Sequence, residues 1–181
     1  MATVNLLPNA EGTVQEWYVF PAPDPPPPHW SVVDDPVGSP NEDLNYVYTG
    51  VIDWIEEFNH ATSGVLTGVV ITNVRVTARM KGSFHGHTVN IGLKIGLIRY
   101  PASTDESLTR SYVNYYKDWA NDPSTFPPSP WTKSDIDSLQ SSLEALSFGA
   151  PGASTRCTQI YITVTYRIPA VAGKGLVSWT P

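Results

Sequence analysis

Three stretches of this chain, residues 70–81, 89–97 and 156–168, alternate apolar and polar side chains almost without interruption. Side chains along a strand point to opposite faces in turn, so strict period two demands strands with one dry and one wet face. A dry face in turn demands a second layer to cover it. In the first stretch Val70, Thr72, Val74, Val76, Ala78 and Met80 share a face; in the second Val89, Ile91, Leu93, Ile95 and Leu97 do. Gly92 and Gly96 sit opposite the latter, and two positions without a side chain on one face predict a bulge or a close approach by a neighbour. In the third stretch Thr158, Ile160, Ile162, Val164, Tyr166 and Ile168 form one face.

Shorter runs at 15–20, 29–34, 44–49 and 112–119 read as further strands, rich in aromatic and β-branched residues and bounded by turn formers, and 51–58 reads as a strand, the alternative being a helical turn. Thr132 followed three residues later by Asp135, with Ile136, Leu139 and Leu143 at helical spacing, predicts one short helix within 132–143. Strands that are not separated by crossover helices exclude a parallel α/β sheet. The reading is an all-β protein: an antiparallel β-sandwich, jelly-roll-like, with long Pro-rich loops, a closed barrel being the rival. Residues 1–168 form a single domain, and residues 169–181 form a C-terminal extension without periodicity. Its Leu176, Val177 and Trp179 are candidates for an assembly arm, the other reading being an end packed on its own sandwich.

Seventeen prolines, including the run at 25–28, exceed ordinary usage of about 5%. Such runs adopt extended polyproline II and stay out of central ladders. Trp17, Tyr18, Phe20, Trp30 and Tyr46 flank the run and need burial, which favours ordered loops laid over a sandwich above the other reading, a short rigid spacer. With 11 basic against 17 acidic residues and the cations scattered, the chain lacks the basic stripe of a nucleic-acid binder. No apolar run approaches the ~20 residues that span a bilayer, and the first residues do not read as a secretory signal. Synthesis in a cytoplasm is the expectation.

Few residues are arranged for chemistry. Cys157 is the only cysteine, so neither a disulfide nor a multi-thiolate metal site can form within one chain. His85 and His87 are weak metal candidates, because residues two apart on a strand face the same way, but a complete site needs further ligands. The acids at Asp34, Asp35, Glu42, Asp43 and Asp53 could hold calcium or simply cap solvated turns, without EF-hand spacing. No nucleophile elbow or phosphate-cradling glycine loop is present. The expectation is a protein that is not an enzyme and uses no cofactor. Six tryptophans and nine tyrosines offer either core bulk or exposed platforms. Trp30, Trp54, Trp119 and Trp131 are the candidates for an aromatic binding surface.

The order of these signals resembles a group of β-sandwich virion proteins of tailed bacteriophages. The matching pieces are Trp17, residues 29–35 (HWSVVDD), 42–48 (EDLNYVY), 74–79 (VRVTAR), 121–132 (NDPSTFPPSPWT) with 135–139 (DIDSL), and 158–166 (TQIYITVTY). The segment from Asn121 to Leu139 is the most specific of them. The resemblance implies a noncatalytic structural protein, placed in the virion as capsid decoration, neck or tail component, whose partners are copies of itself and other virion proteins. The aromatic content supports an alternative, a carbohydrate-binding module with a glycan as ligand.

Overall fold

The computed structural model describes residues 1–22, 25–61, 64 and 67–169. The candidate arm residues Leu176, Val177 and Trp179 lie outside the described residues. Among the described residues twelve strands form two six-stranded antiparallel sheets packed face to face. The first, sheet A, runs in the order β10 (Val113–Trp119), β6 (Val70–Gly82), β12 (Thr155–Arg167), β4 (Tyr46–Thr49) and β3 (Tyr18–Phe20), and β1 (Ala2–Leu6) also pairs with β12. Sheet B runs β2 (Pro8–Gln15), β5 (Ile55–His60), β11 (Leu139–Ser147), β7 (His87–Ile95) and β8 (Ile98–Pro101), with β9 (Glu106–Leu108) also on β7. From β4 to β7, and again from β10 to β12, successive strands switch sheets, which is the winding of a jelly roll.

The dry faces meet between the sheets. Val74, Val76, Ala78 and Met80 of β6 and Ile160, Ile162 and Val164 of β12 face Val89, Ile91 and Leu93 of β7 and Leu139, Leu143 and Ala145 of β11, all but Leu139 fully buried. The alternation slips twice, each time at a bulge. On β6 the register against β12 skips Thr72, so Ile71 rather than Val70 turns inward. On β12 it skips Thr158, which brings Cys157 into the core beside Ile160.

Residues 29–34 are not a strand: His29–Val32 form a 3-10 turn that follows the proline run and buries Val32 and Val33. The strand expected at 51–58 begins only at Ile55, after a turn in which Asp53 adopts a left-handed conformation, φ 64°. The helix is shorter than its spacing implied. It covers Lys133–Asp137, with Thr132 and Asp135 forming a reciprocal capping box, and the chain straightens into β11 at Leu139. Leu139, Ser141, Leu143 and Ala145 line the inner face of β11, so Leu139 and Leu143 satisfy a period of two as well as of four. Buried Ser141 hides the alternation; its hydroxyl is bonded to His60 Nε2 at 2.7 Å.

Candidate functional site

The inner faces are filled, and the outer face of sheet A carries a continuous array of polar and aromatic groups available for binding. Its residues fall into cross-strand rows. Asp118, Arg75, Thr163 and Asn5 form one; Tyr116, Thr77 and Tyr161 the next; Asn114 and Arg79 a third. Lys81, Arg156, Tyr48 and Tyr18 form a fourth, and Tyr46 and Phe20 are paired beside it.

At one end, Thr3, Asn73, Arg75, Thr77, Tyr161, Thr163 and Thr165 line a shallow groove of about 300 Å³. Its polar groups are held in place rather than left free. Arg75 donates to both oxygens of Asp118 (2.9 and 2.8 Å) while its guanidinium lies 4.1 Å from the centre of the Tyr116 ring. Asn73 donates to Asp118, and Thr163 Oγ1 to Asn5 Oδ1 at 2.8 Å. The guanidinium beside Asp118 holds that carboxyl below its ordinary range, so it is an acceptor throughout the neutral pH range. A second hollow of about 400 Å³ follows along the same face, lined by residues including Ser39, Glu42, Arg79, Asn114 and Gln159.

At the β3 end the face turns aromatic. Val19 and Val47 point into the core, so Tyr18 and Phe20 on β3 and Tyr46 and Tyr48 on β4 project outward. Phe20 stacks on Tyr46 with ring centres 4.8 Å apart; Tyr18 tilts against Tyr48 (5.5 Å) and Trp54 (5.4 Å). Arg156 lies over Tyr46 at 4.8 Å, and Lys81 over Tyr112 at 4.3 Å. Asp43 ties these cations together, bonding Lys81 at 2.6 Å and Arg156 at 3.1 Å. Tyr18 and Phe20 remain 51% and 42% exposed, which leaves ring surface open to a ligand.

The four tryptophans singled out by sequence are arranged differently. Trp131 is core, its indole N–H donating to Trp119 O at 3.0 Å. Trp30, Trp54 and Trp119 are half-buried and packed against the core, and Trp54 alone touches the outward aromatic cluster. Tyrosines and a phenylalanine therefore make the platform. Tyr18 and Phe20 are not covered by the proline-rich loop as expected. The signal was legible in Tyr-Val-Phe and Tyr-Val-Tyr, where one valine per triplet fixes which way the aromatics point.

His85 and His87 are not brought together. His87 is fully buried, bonded to Thr155 Oγ1 at 3.1 Å and to the Phe84 N–H, whereas His85 is exposed across the left-handed turn at Gly86. Among the described residues no group of three or more His, Cys, Asp or Glu is placed to hold a metal. The acids of the calcium reading are dispersed. Asp35 accepts from the backbone and side chain of Asn41, Glu42 pairs with Arg79, and Asp43 with its two cations. The Cys157 thiol is buried, and burial pushes its pKa up to about 12, which removes it as a nucleophile.

No family model matches the chain, and no curated protein does. Among solved structures it is similar to the CBM22-1 xylan-binding domain of Paenibacillus barcinonensis Xyn10C, at 11% identity and a TM-score of 0.41, over 93% of this chain and 95% of that one. It is also similar to a family two carbohydrate esterase from Cellvibrio japonicus, at 12% identity and a TM-score of 0.41, over 94% of this chain. The chain spans 36% of that esterase's length.

Proposed function

We propose that the protein is a noncatalytic carbohydrate-binding β-sandwich whose ligand lies along the outer face of sheet A. The observation that carries this reading is one continuous face with open aromatic rings at one end and a groove of hydroxyl, amide and guanidinium groups at the other. A sugar ring offers apolar C–H faces to an aromatic side chain and a rim of hydroxyls that both donate and accept. Threonine and asparagine answer hydroxyls in both directions, and the Arg75–Asp118 pair supplies a fixed donor next to a fixed acceptor. From Asn73 to Lys81 the face extends about 26 Å at ~3.3 Å per residue, long enough for several sugar rings in a row. Binding to a panel of soluble polysaccharides by affinity electrophoresis and calorimetry tests it. Tyr18→Ala should weaken binding by up to about tenfold, the worth of one aromatic stack. A wild-type protein that binds none of the panel defeats the reading.

A second reading, a structural component of a phage particle made in the host cytoplasm, is favoured by the loop that carries the most specific sequence resemblance. Asp122 and Ser129 pair across its base, the Asp122 carboxylate accepts from Ser124 N–H at 2.7 Å, and Thr125 Oγ1 accepts from Ser129 N–H at 2.7 Å. The closed loop holds Phe126 entirely in solvent, an aromatic knob of the kind that anchors protein interfaces. Under this reading Phe126→Ser lowers incorporation into particles while leaving the isolated fold intact. Equal incorporation of wild type and variant removes the loop from assembly.

A further inference from the structure

The free edge of β10 carries an inference independent of the glycan reading. Proteins blunt sheet edges with short strands, prolines or bulges, because an open row of backbone N–H and C=O groups recruits another strand. The other edges here are blunted. β3 and β9 are three residues long, and β3 runs directly into Pro21. β8 is four residues ending at Pro101, and β1 is five residues, with Pro8 two positions on. β2 starts at Pro8 and breaks register between Glu11 and Gln15. By contrast, β10 pairs with β6 through all seven of its residues without a register shift, contains no proline, has its two charges Lys117 and Asp118 paired with Glu106 and Arg75, and among the described residues has no strand on its far side. Val113, Asn114, Tyr116 and Asp118 are exposed along it.

Its sequence, Val-Asn-Tyr-Tyr-Lys-Asp-Trp, is also complementary to itself when reversed. Laid antiparallel about Tyr116, it sets Val113 opposite Trp119, Asn114 opposite Asp118, Tyr115 opposite Lys117 and Tyr116 opposite its own copy. Every pair is apolar on apolar, amide on carboxylate, aromatic on cation or aromatic on aromatic, and no like charges meet. Moving the two-fold one residue on, to Lys117, would oppose two ammonium groups. We infer that β10 is the interface of a two-fold homodimer in which the two copies of sheet A join edge to edge into one twelve-stranded sheet. The occupant of the edge is thus a second copy of this chain, the isologous arrangement that closes on itself. The two outer faces then lie side by side on one continuous surface.

The register makes the test sharp. Across an antiparallel pair, directly opposed Cα atoms lie about 4.5 or 5.5 Å apart, within disulfide reach, whereas positions four residues off register do not. The native Cys157 is buried and does not compete. Under mild oxidation the full-length Tyr116→Cys protein should form a disulfide-linked dimer and Asn114→Cys should form no cross-link. In sedimentation velocity the wild type should approach twice the 19.8 kDa chain mass as concentration rises. Asn114→Asp, which opposes two carboxylates twice over, should weaken that dimer, and Asn114→Lys, which faces Asp118, should tighten it. A wild type that stays monomeric overturns the inference. Equal cross-linking at positions 114 and 116, or Asn114→Asp and Asn114→Lys acting in the same direction, does so too.

Discussion

Individual buried polar residues set how this protein responds to acid. His60 is enclosed between Leu6 O and Ser141 Oγ, and burial pulls its pKa from 6.5 down to about 4. The unfolded chain therefore binds a proton that the folded chain refuses, and stability falls as pH drops from above 6.5 towards 4, by about 3 kcal/mol in all. His29 acts in the opposite sense. Its Nδ1 meets the buried Glu56 carboxylate at 2.8 Å, and this bond raises its pKa above 6.5. Its contribution is complete below pH 6.5 and is lost as pH rises through the folded value. Melting temperature should peak close to pH 6.5, between the two windows. Substituting His60→Gln should flatten the acid limb and leave the alkaline limb in place; an unchanged acid limb would move the effect to other groups.

At the scale of elements, sheet B is clamped across its middle. Lys94 on β7 reaches over β11 to Glu57 on β5, an Nζ–Oε2 distance of 2.7 Å with both side chains nearly buried. The small side chain of Ser142 lies under this span, and the Gly12–Val14 bulge of β2 folds over it, Val14 N–H donating to Glu57 Oε2 at 3.0 Å. Gly12 sits so close that a Cβ there would lie 2.3 Å from the Glu57 carbonyl carbon. Lys94→Met alone strands a buried carboxylate and should cost about 3–5 kcal/mol in denaturant unfolding. Combining Glu57→Leu with it should recover most of that loss, whereas additive losses would argue against the clamp. The sequence showed the long strands because their alternation is apolar on one side. It concealed β11, where Ser141 takes an inward position, and β2, whose bulge breaks any period. Gly92 was legible as a close approach: Arg99 crosses it to reach Ser142 Oγ and Glu144.

For the whole molecule, the jelly-roll architecture was legible because alternation and the scarcity of helical segments leave few other solutions. The outer face of sheet A was less so, since residues as distant in sequence as Asn5, Arg75, Asp118 and Thr163 meet only through strand pairing. Tryptophan count drew attention to residues that the core largely absorbs, while paired aromatics on the short strands β3 and β4 made the surface. The central position of β12 also governs the order of events during synthesis. It pairs with β6 along one edge and with β4 and β1 along the other, so before residues 155–167 leave the ribosome, sheet A is three separate fragments. Most pairings of that sheet wait for the last described strand, a topology dominated by distant partners that folds slowly, on the millisecond-to-second scale. Until β12 joins them, the aromatic pair β3–β4 and the pair β10–β6 carry open edges of the kind from which misassembly starts.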